Sequence, residues 1–185
     1  MHCNLNTTTK SFNKLETNSA MKKLFASIII ATLAFTSTVF AQESITKVQS
    51  LYIYNFVKNI QWQNVGDKYV IGVYANDATV KEIQEVLGIR QFNGKSFEIK
   101  KISSPTEASE CHIVYVSASN GSNVKKMQES ANLKNTLVVS ERGQLNNGAA
   151  IAFVLENSKL KFKINESACT ASGLQVSKGL LSLGV

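Results

Sequence analysis

The chain has 185 residues and carries 20 Lys and Arg against 13 Asp and Glu, a formal net charge of +7. Part of that charge belongs to the leader described next; what remains is too small and too scattered to call for a nucleic-acid partner. The length suits one domain preceded by a leader.

Residues 1–20 (MHCNLNTTTKSFNKLETNSA) are polar and show no periodic apolar face. Signal peptides begin with their positive charges, so Met21 reads as the true start and residues 1–20 as a misread upstream extension; the alternative is an unusually long n-region. Either way Cys3 lies outside the mature domain. Residues 21–41 (MKKLFASIIIATLAFTSTVFA) have the three parts of a signal peptide. Lys22 and Lys23 supply the positive n-region, Leu24 to Phe35 the apolar h-region, and Val39-Phe40-Ala41 the cleavage site. The apolar run is shorter than the roughly 20 residues a bilayer span needs. Cleavage is expected after Ala41, and no cysteine follows to carry a lipid. Removing Lys10, Lys14, Lys22, Lys23 and Glu16 brings the mature charge to +4. The mature domain, residues 42–185, is expected in the periplasm and not itself membrane-spanning.

It opens with helical spacing, Ile45, Val48, Tyr52, Phe56 and Ile60 sharing one face. Leu51, Ile53, Tyr54 and Val57 make the helix apolar on more than one side. That suits a core helix packed on two sides; alternatively Tyr54, Val57 and the nearby Trp62 form a partner surface, since exposed aromatics mark interfaces. Asn64, Gly66 and Asp67 break the pattern.

Strand and helix then alternate. Tyr69 to Tyr74 reads as a buried strand and Ala78 to Leu87 as a helix ended by Gly88. Phe97 to Ile102 fits a half-exposed strand, and Pro105 begins a short helical turn. His112 to Val116 is apolar enough for a central strand covered on both faces. Asn123 to Ala131 is a polar helix, and Thr136 to Ser140 another buried strand. Such alternation argues for parallel pairing with right-handed crossovers. The last third differs. Ala149 to Leu155 and Lys159 to Ile164, joined by Glu156-Asn157-Ser158, read as an antiparallel hairpin, with Lys159, Lys161 and Lys163 on one solvated face. Asn165 caps a helix from Glu166, with Ala168, Ala171 and Leu174 inward, and KGLLSLGV is apolar enough to dock on the body. The expected fold is therefore a single α/β domain. Its sheet is mixed but mostly parallel, flanked by helices, and closed by a C-terminal antiparallel hairpin and a last helix.

Little in the chain points to catalysis. The loop from Gly143 to Gly148 lacks the strand–glycine–helix context of a nucleotide site. His112, the only mature histidine, lies in an apolar strand and has no evident acid partner for a nucleophilic triad. Its combination with Cys111 and Cys169 does not complete a zinc site. No catalytic, cofactor or metal residue is assigned, and the protein is not expected to be an enzyme. Outside the cytosol Cys111 and Cys169 are a candidate disulfide; the alternative is that both are small buried hydrophobes.

Four segments, YIYNFVKNIQW, CHIVYVSAS, VVSERGQLNNGAAIAFVLENSKLKFKINESA and SGLQVSKGLLSLG, occur in this order. Together they resemble the YfiR family of small exported bacterial proteins, from about Ser50 to Leu183. The resemblance implies a compact periplasmic α/β domain that binds the periplasmic part of an inner-membrane signalling protein. In the family's best-known role that protein is a diguanylate cyclase, held inactive so that cyclic-di-GMP signalling and biofilm formation are restrained. The resemblance also matches Cys111 to a family cysteine whose partner, where bridged, lies in an earlier strand; here Tyr69 to Tyr74 has none. A homodimer through the first or last helix is the further expectation. The competing reading is a small-ligand sensor or carrier, with Gly143, Gln144, Asn146 and Asn147 lining a crevice at a strand's carboxyl end.

Overall fold

The computed structural model describes residues 44–185. The readings of residues 1–20 and 21–41 fall outside that range. Within it, a seven-stranded sheet runs in the order β3–β4–β2–β5–β6–β7–β8. The strands are β2 (Lys68–Tyr74), β3 (Gln91–Phe92), β4 (Lys95–Lys101), β5 (Ile113–Val116), β6 (Leu137–Ser140), β7 (Ile151–Glu156) and β8 (Lys159–Ile164). Pairing is parallel from β4 through β2, β5 and β6 to β7, and antiparallel at both edges. The expected mixed, mostly parallel sheet and its C-terminal hairpin are there. The short edge strand β3 has no apolar run to announce it.

The parallel strands follow the order of a doubly wound sheet: the chain starts at β2, goes to β4 on one side, then returns to build β5, β6 and β7 on the other. Strand alternation sorts the core into two faces. Ile71, Val73, Ile113, Tyr115, Leu137 and Val139 point to one cluster, which α1 (Ile45–Asn59), α2 (Asp77–Leu87), α4 (Glu166–Ala171) and α5 (Lys178–Leu183) cover. Val114, Val116 and Val138 point to a smaller cluster, covered by a 3₁₀ turn (Pro105–Glu110) and α3 (Asn123–Ser130).

Local chemistry sets the boundaries. Asn76 and Asn165 side chains accept from Thr79 N (2.9 Å) and Ala168 N (3.0 Å), capping α2 and α4. Ser104 and Glu107 form a capping box at the 3₁₀ turn, with Pro105 just inside it. A two-residue antiparallel ladder, β1 (Ile60–Gln61) with β9 (Gln175–Val176), pins the end of α1 to the C-terminal region. Beside it Gln63 N donates to Asn135 Oδ1 at 2.8 Å, and Asn135 N to Ser172 O at 2.7 Å.

Four expectations are corrected. The buried stripe of α1 is Gln49, Ser50, Ile53, Phe56 and Val57, not the stripe through Ile45, Val48 and Tyr52. The helix is rotated because it packs at once on the sheet, α2 and α5. The last helix before β9 stops at Ala171, which is exposed; Leu174 reaches the core only after the chain turns at Gly173. The strand expected from His112 begins at Ile113. His112 stands just before it, where its own N–H donates to Val70 O (2.9 Å) and its Nδ1 accepts from Val70 N (3.0 Å). The imidazole replaces a backbone acceptor, and burial, then the charge of Lys95, holds its pKa below the ordinary value.

The fourth concerns the candidate disulfide; the alternative reading of the two cysteines as small buried hydrophobes is the one that fits. Cys111 and Cys169 are both free and buried. They belong to different clusters, Cys111 to the smaller face and Cys169 to the larger, so the sheet stands between them. Burial pushes both thiols up to about 11, which keeps them protonated and unreactive.

Candidate functional site

In a doubly wound sheet the usual ligand crevice lies at the carboxyl ends of the strands where the order reverses, here between β2 and β5. This chain fills it from within. After β5 a short 3₁₀ turn (Ala118–Asn120) folds back over the gap. The Tyr74 carbonyl at the end of β2 accepts from Ser117 N (3.2 Å), Ser117 Oγ (3.3 Å) and Asn120 Nδ2 (3.3 Å). What remains is a shallow depression of about 180 Å³ with little apolar wall. That place is closed by its own hydrogen bonds.

A deeper cleft lies further along the same end of the sheet. It encloses about 550 Å³ between the first turns of α1, the segment after β6 and the hairpin, within the range of small-molecule sites. Phe153, Val154, Leu155 and Leu160 form the hairpin wall, Ile45 and Gln49 the helix wall, and Glu141, Arg142 and Gly143 the third side. Gln49 is only 2% exposed. Its Oε1 accepts from the buried Tyr115 hydroxyl at 2.8 Å. Burial, and then the charge of Glu141, raises the Tyr115 pKa far above the ordinary phenol value, so it donates at any physiological pH. Glu141 Oε2 accepts from Ala118 N at 2.7 Å, joining the cleft to the filled crevice.

Of the expected ligand loop, Gly143 borders this cleft, whereas Gln144, Asn146 and Asn147 line a neighbouring depression of about 420 Å³. The loop is tied to itself: Asn147 Nδ2 donates to Gln144 Oε1 at 2.6 Å. Gln144 takes a left-handed backbone (φ 71°), and Gly148 (φ 95°) returns the chain to β7.

The expected partner surface divides. Val57 is wholly buried in the larger cluster and cannot touch a partner. Tyr54 and Trp62 are half-buried. Tyr54 packs edge-on to Phe97, and its hydroxyl donates to Gln91 O at 3.1 Å. Trp62 packs against Tyr69 and His112, and its Nε1 donates to Val57 O at 3.3 Å. The sequence reading missed Gln49, Tyr115, Arg142 and Leu155. One signal was present: Gln49 lies four residues before Ile53 and seven before Phe56, a polar residue on an apolar stripe.

Among the described residues no group of three or more His, Cys, Asp or Glu could hold a metal ion, and no helix is long and apolar enough to cross a membrane. The described residues thus form a doubly wound α/β domain with its switch-point crevice sealed and an apolar cleft beside it. The YfiR/HmsC-like family model matches residues 46–185, almost the whole described region, and the chain belongs to that family. No curated protein matches the chain.

Proposed function

We propose that residues 42–185 act in the periplasm as a repressor, binding the periplasmic part of an inner-membrane diguanylate cyclase and holding it off. The observation that carries this is the family match over residues 46–185. A regulator of this kind shifts a two-state equilibrium by binding one state of its partner better, which needs a surface and no catalytic group. Apolar residues left exposed at the two ends support docking and homodimerisation through the first and last helices: Ile45 on α1, and Leu183 and Val185 at and beyond α5. Tyr54 and Trp62 are candidates for the rim of such a surface.

The test is cross-linking of tagged protein in intact cells, with mass spectrometry of what is captured. Capture of an inner-membrane protein with a cyclase output domain, together with a rise in cyclic-di-GMP on deletion, is expected. Recovery of the domain alone or as its own oligomer, with cyclic-di-GMP unchanged on deletion, would overturn the reading. The cleft beside Gln49 favours a second reading, a small-ligand sensor or carrier, and the two combine if a ligand releases the partner.

A further inference from the structure

The cleft beside α1 has the makings of a specific site, and its polar groups narrow what it would hold. Gln49 is the first. Its amide oxygen is taken by Tyr115, while its N–H groups have no acceptor among the described residues. No buried side-chain nitrogen or oxygen among the described residues lacks a partner, so this nitrogen is not fully sealed, and Gln49 lines the cleft. A donor held by a side chain 2% exposed is fixed in direction, because Tyr115 orients the amide plane from below.

The ionic groups come next. Two lie on the wall, Glu141 and Arg142. Glu141 is engaged by Ala118 N. Arg142 makes hydrogen bonds only through its backbone, to Ser140, and its guanidinium has no partner among the described residues. Beside the Glu141 carboxylate, the Gln49 amide and the Arg142 guanidinium are donors without an acceptor among the described residues. Guanidinium and amide donors together match a carboxylate, which accepts from both at once.

The remaining wall is Ile45, Phe153, Val154, Leu155 and Leu160. Ile45 (50% exposed) and Leu155 (55% exposed) are large apolar side chains at the rim, left in water by the fold. An apolar body seated there would cover them. We propose that this cleft binds a small amphipathic monocarboxylate of the medium-chain fatty acid class, its head on Arg142 and Gln49 and its chain along Phe153, Leu155 and Leu160. The assignment builds on the ligand-sensor reading of the cleft and is independent of which protein the domain represses.

The experiment is a titration of isotope-labelled protein, residues 42–185, with decanoate and, separately, decan-1-ol, both below micelle-forming concentration. Decanoate is expected to saturate with shifts at Gln49, Phe153 and Leu155, and decanol to bind far more weakly. Arg142→Gln changes an exposed residue and is expected to weaken decanoate about tenfold, the scale of one charge-assisted contact. Leu155→Glu, also exposed, is expected to abolish binding with the fold intact. Equal binding of decanol, unchanged by Arg142→Gln, would overturn the carboxylate assignment while leaving a ligand cleft. If neither probe moves the cleft resonances, the assignment and the ligand-sensor reading fall together.

Discussion

The two faces of the sheet share strands yet are built from different materials. The larger face is packed with rings: the Phe56 centroid lies 6.0 Å from Phe153 and 5.0 Å from Phe162, and Tyr52 packs against both Phe153 and Phe162. The smaller face is packed with Val114, Val116, Val124, Met127 and Cys111, under a helix of only eight residues. The rings lie under the 15-residue α1, while the aliphatic layer lies under a 3₁₀ turn and α3. On that contrast the larger face is expected to anchor the domain.

Core truncations should break this contrast or confirm it. Phe56→Ala removes the ring shared by Phe153 and Phe162, and a loss of about 4–5 kcal/mol is expected. Met127→Ala, on the other face, should cost about 2–3 kcal/mol, because a flexible side chain leaves a site that neighbours can partly refill. Urea denaturation of both variants measures the gap; equal losses would refute the contrast.

A covalent staple on the smaller face comes next. A Cβ added at Gly72 would lie 3.4 Å from Cys111 Cβ, just under the usual disulfide range, and 2.6 Å from its Sγ. Gly72→Cys is expected to destabilise the reduced protein by crowding. When oxidised, it should regain up to about 4 kcal/mol by closing a long loop. Melting with and without reductant reads both effects. No gain on oxidation would mean that the face cannot give way to the bond.

Caps give smaller effects. Asn165→Ala removes the α4 cap and a donor to Leu145 O, and should cost about 1–2 kcal/mol. Ser104→Ala on the smaller face should cost about 0.5–1 kcal/mol. Reversal of that order in thermal denaturation would count against the larger face as the anchor.

The smallest expected effect is the pH response of His112, which lies where β2 meets β5. Its folded pKa is below the unfolded value of 6.5, so the fold favours the neutral ring. Its contribution to stability is then complete above pH 6.5 and declines as pH falls through the folded pKa. Protonation would put a hydrogen on Nδ1, the atom that accepts from Val70 N. His112→Asn should flatten this part of the stability profile; an unchanged slope between pH 7 and pH 5 would exclude His112 as its source.

Much of the sheet was legible because the longer strands announced themselves locally. Runs such as Ile113 to Val116 and Leu137 to Val139 are short, rich in β-branched residues and apolar on both faces, which favours a covered strand. The rotation of α1 was not legible. Val48 is as apolar as Val57, and only tertiary packing decides which of the two is wholly buried. The two-residue strands were hidden for a related reason, since they arise from backbone pairing and leave no mark in side chains. The cleft was hardest to foresee, as Gln49, Tyr115 and Arg142 are brought together from three distant elements. A polar residue on the buried stripe of α1 was its one trace.

The hydroxyl of Tyr52 donates to the carbonyl of Leu160, 108 residues further on. Phe56 on the same helix packs against Phe153 and Phe162, and Asn59 O accepts from Ser177 N. Helix α1, the first element of the described residues, therefore completes its packing only with segments made more than 90 residues later. Its rings stay without their partners while the intervening chain is synthesised, and contacts of this sequence separation form slowly. During biogenesis α1 is thus exposed until the C-terminal strands arrive, and a chain shortened at its C-terminus would strand it.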